Sequence, residues 1–148
     1  MTTPSTAAFD VHTGLLSQID EINQWWPDSH QRVIGGVNIH EIHSRLDKLR
    51  ASLELHFAEE ERGGLLPEEF GGDPRFVSES ERLLQQHADL RRQLESVIRH
   101  VPPADGSVAQ WTLAKREFEI CRESLRAHEQ AESLLLENAF LNVSGTVD

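Results

Sequence analysis

The chain has 148 residues, 38% of them hydrophobic and 26% charged, with 25 acidic against 14 basic side chains for a formal net charge of −11. That size and composition fit a single domain, residues 1–148 with a core at about 8–140, that buries most of its apolar surface. No apolar run approaches the ~20 residues that span a bilayer, and the acidic balance repels phosphate backbones, so neither a membrane nor a nucleic acid is expected as a partner.

The first predicted helix covers about residues 8 to 26, where Leu15, Leu16, Ile19, Ile22 and Trp26 recur at steps of mostly three and four. Pro27 and Asp28 stop it, and the stretch to Gly35-Gly36 reads as a loop containing His30. The second runs from about 37 to 62 on Ile42, Leu46, Leu49, Leu53 and His56, with Glu60 continuing the stripe. Gly63-Gly64, Pro67 and Gly71-Gly72-Asp73-Pro74 form a long turn region. After it Leu83, Leu84, His87, Leu90, Leu94 and Val97 mark a third helix up to about His100. Pro102-Pro103 and Asp105-Gly106 end that segment. The fourth helix, about Ser107 to Phe140, carries Trp111, Ala114, Phe118, Cys121, Leu125, His128, Glu132 and Leu135 on one stripe, and residues 141–148 read as a frayed tail. No segment alternates with the period of a strand. The fold class is therefore all-α, an up-down antiparallel four-helix bundle.

Each apolar stripe carries a histidine: His12, His56, His87 and His128 in chain order, with Glu60 and Glu132 following on the second and fourth. Four residues advance a helix by about 40° and about 6 Å, so the members of each His-x-x-x-Glu pair point the same way from successive turns. Burying carboxylates and imidazoles without compensation costs several kcal/mol each, and a shared metal centre supplies the missing charge. Imidazole with carboxylate suits iron, manganese or zinc. With Cys121 as the single cysteine, neither an internal disulfide nor a cysteine zinc cluster can form, and Cys121 reads as a small core residue. His43 lies 13 residues before His56 on the same helix, about 20 Å away, so the two cannot share a centre; His40 and His43 read as solvated, and His30 and His100 as surface groups. Trp25, Trp26 and Trp111 read as core or cap residues, and Arg91 as a surface or ion-paired one. Two other site types fail on spacing: Leu53 and Leu125 stand where a ferritin-like Glu-x-x-His would need glutamate, and His128-Glu129 is followed by Glu132 where a zinc protease needs histidine.

The ordered set His12, His56-Phe-Ala-Glu-Glu60, His87 and His128-Glu-Gln-Ala-Glu132 resembles the hemerythrin-like family, whose members carry a His-His-Glu cation-binding domain. The resemblance spans residues 12–132 and implies a four-helix bundle holding an oxo- or hydroxo-bridged pair of iron ions. It also implies Glu60 and Glu132 as bridging carboxylates and His12, His56, His87 and His128 as terminal ligands, with manganese or zinc as substitutes for iron. Oxygen-carrying members have a second histidine four residues along the third helix, where this chain has Arg91. That departure favours sensing or redox chemistry with O2, peroxide or NO, under oxidative or nitrosative stress, over simple oxygen carriage. Glu59 and Glu129 are alternative ligands. A second reading is a regulatory or interaction bundle with a structural metal, and a third is a metal-free bundle whose polar groups satisfy one another. The first residues lack the charged and apolar regions of a signal peptide, so a cytoplasmic location is the expectation.

Overall fold

The computed structural model describes residues 4–27, 38–63 and 73–145, with side chains described from residue 14 onward in the first span and up to residue 141 in the last. Four helices account for nearly all of them: α1 Pro4–Trp25, α2 Ile39–Gly63, α3 Pro74–Arg99 and α4 Val108–Gly145. Each helix packs on the next in chain order, and α1 closes against α4, which is the ring of contacts an up-down antiparallel bundle makes. No helix among the described residues is long and apolar enough to cross a membrane.

The helix ends follow from local chemistry. Asn38 caps α2 by accepting the Glu41 amide at 3.0 Å. Asp73-Pro74, expected within a turn, instead starts α3: the Asp73 carboxylate accepts the Arg75 amide, and Pro74 holds the first position, where its missing N–H costs nothing. The third helix consequently begins nine residues before Leu83, the first residue of its expected apolar stripe. Ser107 and Gln110 form a reciprocal capping box at α4, the Ser107 amide donating to Gln110 Oε1 (2.8 Å) and the Gln110 amide to Ser107 Oγ (3.1 Å). In the turn before it a side chain on Gly106 would meet Pro102 Cβ at 2.9 Å, so the tight return from α3 to α4 requires glycine there. Two other ends differ from expectation. The fourth helix continues to Gly145, taking in most of the supposed tail, and the first starts at Pro4 and stops at Trp25, leaving Trp26 just beyond it but buried.

Two apolar clusters form the core. The larger unites Leu15, Ile19, Ile22 and Trp26 with Ile42 to Phe57 on α2, Leu90 to Val97 on α3 and Trp111 to Leu125 on α4. Trp26 stacks on Phe118 with ring centroids 5.0 Å apart and meets Trp111 edge-on at 5.9 Å. The smaller cluster holds Phe76, Leu83, Leu135 and Ala139 at the opposite end of α3 and α4. Between the two the chain buries a polar layer: His56, Glu60, His87, His128, Glu129 and Glu132. Cys121 lies in the larger cluster, where burial and the nearby Glu117 carboxylate push its thiol up to about 12.

Candidate metal centre

The polar layer assembles because its members leave their helices at one level. On α2, His56 and Glu60 close the stripe that begins at Ile42; on α3, His87 interrupts it between Leu83 and Leu90; on α4, His128 and Glu132 lie between Leu125 and Leu135. Antiparallel packing brings the end of α2, the middle of α3 and the later part of α4 together. Five of the six residues singled out in the sequence thus converge. The sixth, His12, sits on α1, but its side chain lies outside the described residues, as does all of His30. His40 and His100 are exposed and His43 is half-buried. His100 caps α3 and faces the Glu117 carboxylate at 2.9 Å.

Two donor groups can be drawn within the layer. One comprises Glu60, His87, His128 and Glu132, the other His56, Glu129 and Glu132, and in each the ligand atoms lie within 4.8 Å of one another. The carboxylates divide their oxygens between imidazoles. Glu60 Oε1 is 2.6 Å from His56 Nε2 while its Oε2 is 3.9 Å from His87 Nε2. Glu132 Oε1 is 2.6 Å from His128 Nε2 and 3.8 Å from His87 Nε2, while its Oε2 is 3.6 Å from His56 Nε2. Metal–nitrogen and metal–oxygen bonds of about 2.0–2.2 Å set two donors of one ion roughly 3 Å apart, the middle of this range.

The charges in the layer are strongly displaced from their ordinary behaviour. Burial alone would depress His56, but the facing carboxylates of Glu132 and Glu60 outweigh it and raise the imidazole to about 9. Burial, reinforced by the Glu132 carboxylate and opposed by His56, lifts Glu60 to about 8. Glu132 goes the other way: burial is overridden by the imidazoles of His128, His56 and His87, which hold it well below the carboxylate range. Two buried carboxylates a short distance apart are therefore pushed in opposite directions, the outcome expected when like charges share a low-dielectric space.

The residues fit a metal. Apart from the close histidine–carboxylate approaches above, His87 Nε2, His128 Nε2 and both oxygens of Glu60 are buried with no further polar partner among the described residues, an arrangement that costs free energy if nothing else binds there. Their outer nitrogens are anchored. His128 Nδ1 donates to Gln86 Oε1 at 2.7 Å, and His87 Nδ1 faces Glu61 Oε1 at 3.3 Å, so both imidazoles turn Nε2 toward the layer, where it could ligate a bound cation. Glu61 is gripped in turn by both terminal nitrogens of Arg91 at 2.9 and 3.0 Å, and Arg91 Nε also donates to Glu54. The guanidinium holds the Glu61 carboxyl below its usual range. Phe57 stacks flat on His87, ring centroids 3.7 Å apart and 6° from parallel, and closes one side of the layer with apolar surface.

Sequence reasoning left some of this open and missed the rest. Of the two alternative ligands, Glu59 is exposed and Glu129 is 1% exposed, beside His56. The signal for Glu129 was its place four residues after Leu125 and three before Glu132, inside the same apolar arc. Gln86, Glu61 and Phe57 were not singled out, since each acts only through a residue on another helix. Trp26 packs on Phe118 and Trp111 on Trp26 in the larger apolar cluster, and among the described residues the aromatic ring against the histidines is Phe57.

The family model described as the hemerythrin HHE cation binding domain matches residues 4–139. No curated protein and no solved structure matches the chain. With that match covering most of its length, and histidine and glutamate donors from three helices meeting in a buried layer, the chain belongs to the hemerythrin HHE cation-binding family.

Proposed function

We propose that the chain holds two iron ions between Glu60 and Glu132 and uses them to bind, sense or react with O2, peroxide or NO. The observation that carries the reading is the division of each carboxylate's oxygens between His56 on one side and His87 or His128 on the other, the disposition of a bridging ligand. His56, His87 and His128 are the imidazole ligands whose side chains are described, and His12 is the fourth that the sequence offers. Bound iron would supply a redox-active Lewis-acid centre able to take a small ligand.

The protein's own residues prepare that chemistry. The Gln86 and Glu61 contacts fix the tautomer and ring orientation of His128 and His87. The Phe57 ring keeps water from one face of His87. Arg91 stands one turn beyond His87 but reaches outward to Glu54 and Glu61, so α3 offers the layer one imidazole, that of His87. Glu61→Gln weakens the anchor of His87, and the expected result is metal affinity lower by about 10–100-fold in competition with a chelator, with the helical spectrum unchanged.

The experiment is anaerobic reconstitution with ferrous iron, followed by metal analysis and exposure to O2, peroxide or NO. About two irons per chain, with near-ultraviolet charge-transfer bands after oxidation, are expected. Protein that takes up no iron defeats the proposal. Repeated turnover of peroxide would identify a catalyst, and a single change in stability on oxidation would identify a sensor.

A further inference from the structure

The HHE pattern assigns one carboxylate to each His-x-x-x-Glu pair, yet the buried layer contains a third, Glu129, immediately after His128. A side chain next in sequence to an inward-facing residue is turned about 100° away from it on a helix. Glu132 lies between them, about 40° from His128 and about 60° from Glu129, so His128, Glu132 and Glu129 fan across roughly 100° of α4, and all three are buried. Glu129 points to one side of this fan. Its Oε1 is 3.4 Å from His56 Nε2, and it groups with His56 and Glu132, while the group containing His87 and His128 excludes it.

We propose that Glu129 is a terminal carboxylate ligand to one of the two metal ions, and that it makes the two positions chemically unequal. Among the described side chains one position has the imidazoles of His87 and His128 and the other has the imidazole of His56 with the carboxylate of Glu129, with Glu60 and Glu132 serving both; His12, the fourth imidazole the sequence offers, lies outside the described side chains. This rests on the two-ion reading above and adds the division of labour within it. Charge supports the assignment. Three carboxylates among three neutral imidazoles carry three negative charges out of water, which one divalent ion cannot neutralise and two can. Chemistry gives the consequence. Oxygen donors suit harder, more highly charged cations and imidazole suits softer divalent ones, so the Glu129 position favours the ferric state and the His87/His128 position retains ferrous iron longer.

The test uses the full chain and two probes, Co(II) and 57Fe(II). Stepwise Co(II) titration of the unaltered protein should fill two positions with distinguishable visible spectra. In Glu129→Gln, which keeps the side-chain shape and removes the charge, the first step should persist and the second should weaken at least tenfold; Glu129→Asp should restore part of it. Mössbauer spectra of the unaltered protein loaded with 57Fe(II) should show two quadrupole doublets of equal area, a readout that needs no variant to fold. Two unchanged steps in Glu129→Gln, equal weakening of both steps, or a single doublet overturns the assignment. Unaltered protein that binds fewer than two ions overturns the two-ion reading beneath it instead.

Discussion

Replacing Glu132 with alanine should take metal binding from the two ions per chain proposed above to fewer than one. Glu132 is the residue the two donor groups share, with one oxygen toward His87 and His128 and the other toward His56. Its loss removes a donor from both positions, so the effect should exceed the ~10–100-fold that loss of an outer contact costs. The metal-free protein should lose stability as well. Glu132 is 1% exposed and faces the imidazoles of His128, His56 and His87, which hold its carboxylate well below the usual range, so alanine leaves a void and takes away the partner of those imidazoles. Thermal melts separate the two effects. An ion at 100 times its dissociation constant stabilises a native state by about 2.7 kcal/mol, or roughly 5–10 °C for a chain of this size, and in Glu132→Ala that metal-dependent increment should disappear, in addition to the drop in the metal-free melting point. His43→Ala, about 20 Å back along α2 from His56, should keep both ions. Full loading of Glu132→Ala, or equal loss in His43→Ala, would mean that the buried layer is not the metal centre.

Phe118→Ala should produce the opposite pattern, a large loss of stability with the site intact. Phe118 is fully buried, stacked on Trp26, and Trp26 meets Trp111, so three aromatic rings from the end of α1 and the first half of α4 depend on one another. Truncating such a residue costs about 3–5 kcal/mol through lost contacts and the cavity left behind. Set against the ~5–15 kcal/mol that holds a typical domain together, this is a large share, and the melting point should fall by roughly 10 °C or more. Ten residues of helix, about 15 Å, separate Phe118 from His128, so the protein that remains folded should still bind metal with the native stoichiometry. Denaturant unfolding of the metal-free protein measures the cost. A change below about 1 kcal/mol would show that the aromatic cluster is not a keystone of the core.

Each helix was readable from its own residues. Apolar side chains spaced at three and four define a stripe that any partner helix can cover, so the positions from Leu15 to Ile22, Ile42 to Leu53, Leu83 to Val97 and Trp111 to Leu135 announce four amphipathic helices without reference to one another. The boundaries were less legible. Asp73-Pro74 is compatible with a turn or a helix start, and the decision depends on whether the residues that follow find a surface to bury, as Phe76 does against Leu135 and Ala139. The same holds for the last residues of α4, helical through Gly145, which local composition alone marks as a tail.

The layer of histidine and glutamate shows where sequence stops and tertiary structure begins. That His56, Glu60, His87, His128 and Glu132 face inward follows from periodicity, a property of one helix at a time. Which atoms meet does not. The division of the Glu60 and Glu132 oxygens among three imidazoles, the inward turn of Glu129 where Glu59 turns out, the Gln86 and Glu61 contacts behind His128 and His87, and the Phe57 ring stacked on His87 all join residues from different helices. A helix stripe is about 100° wide, so spacing alone cannot rank a residue at its edge as core or surface. The neighbouring helix decides, through the distance and rotation at which it packs. The His-x-x-x-Glu pairs were thus written in the sequence as inward-facing groups, while their meeting in two clusters able to hold a metal was fixed only when α2, α3 and α4 came together.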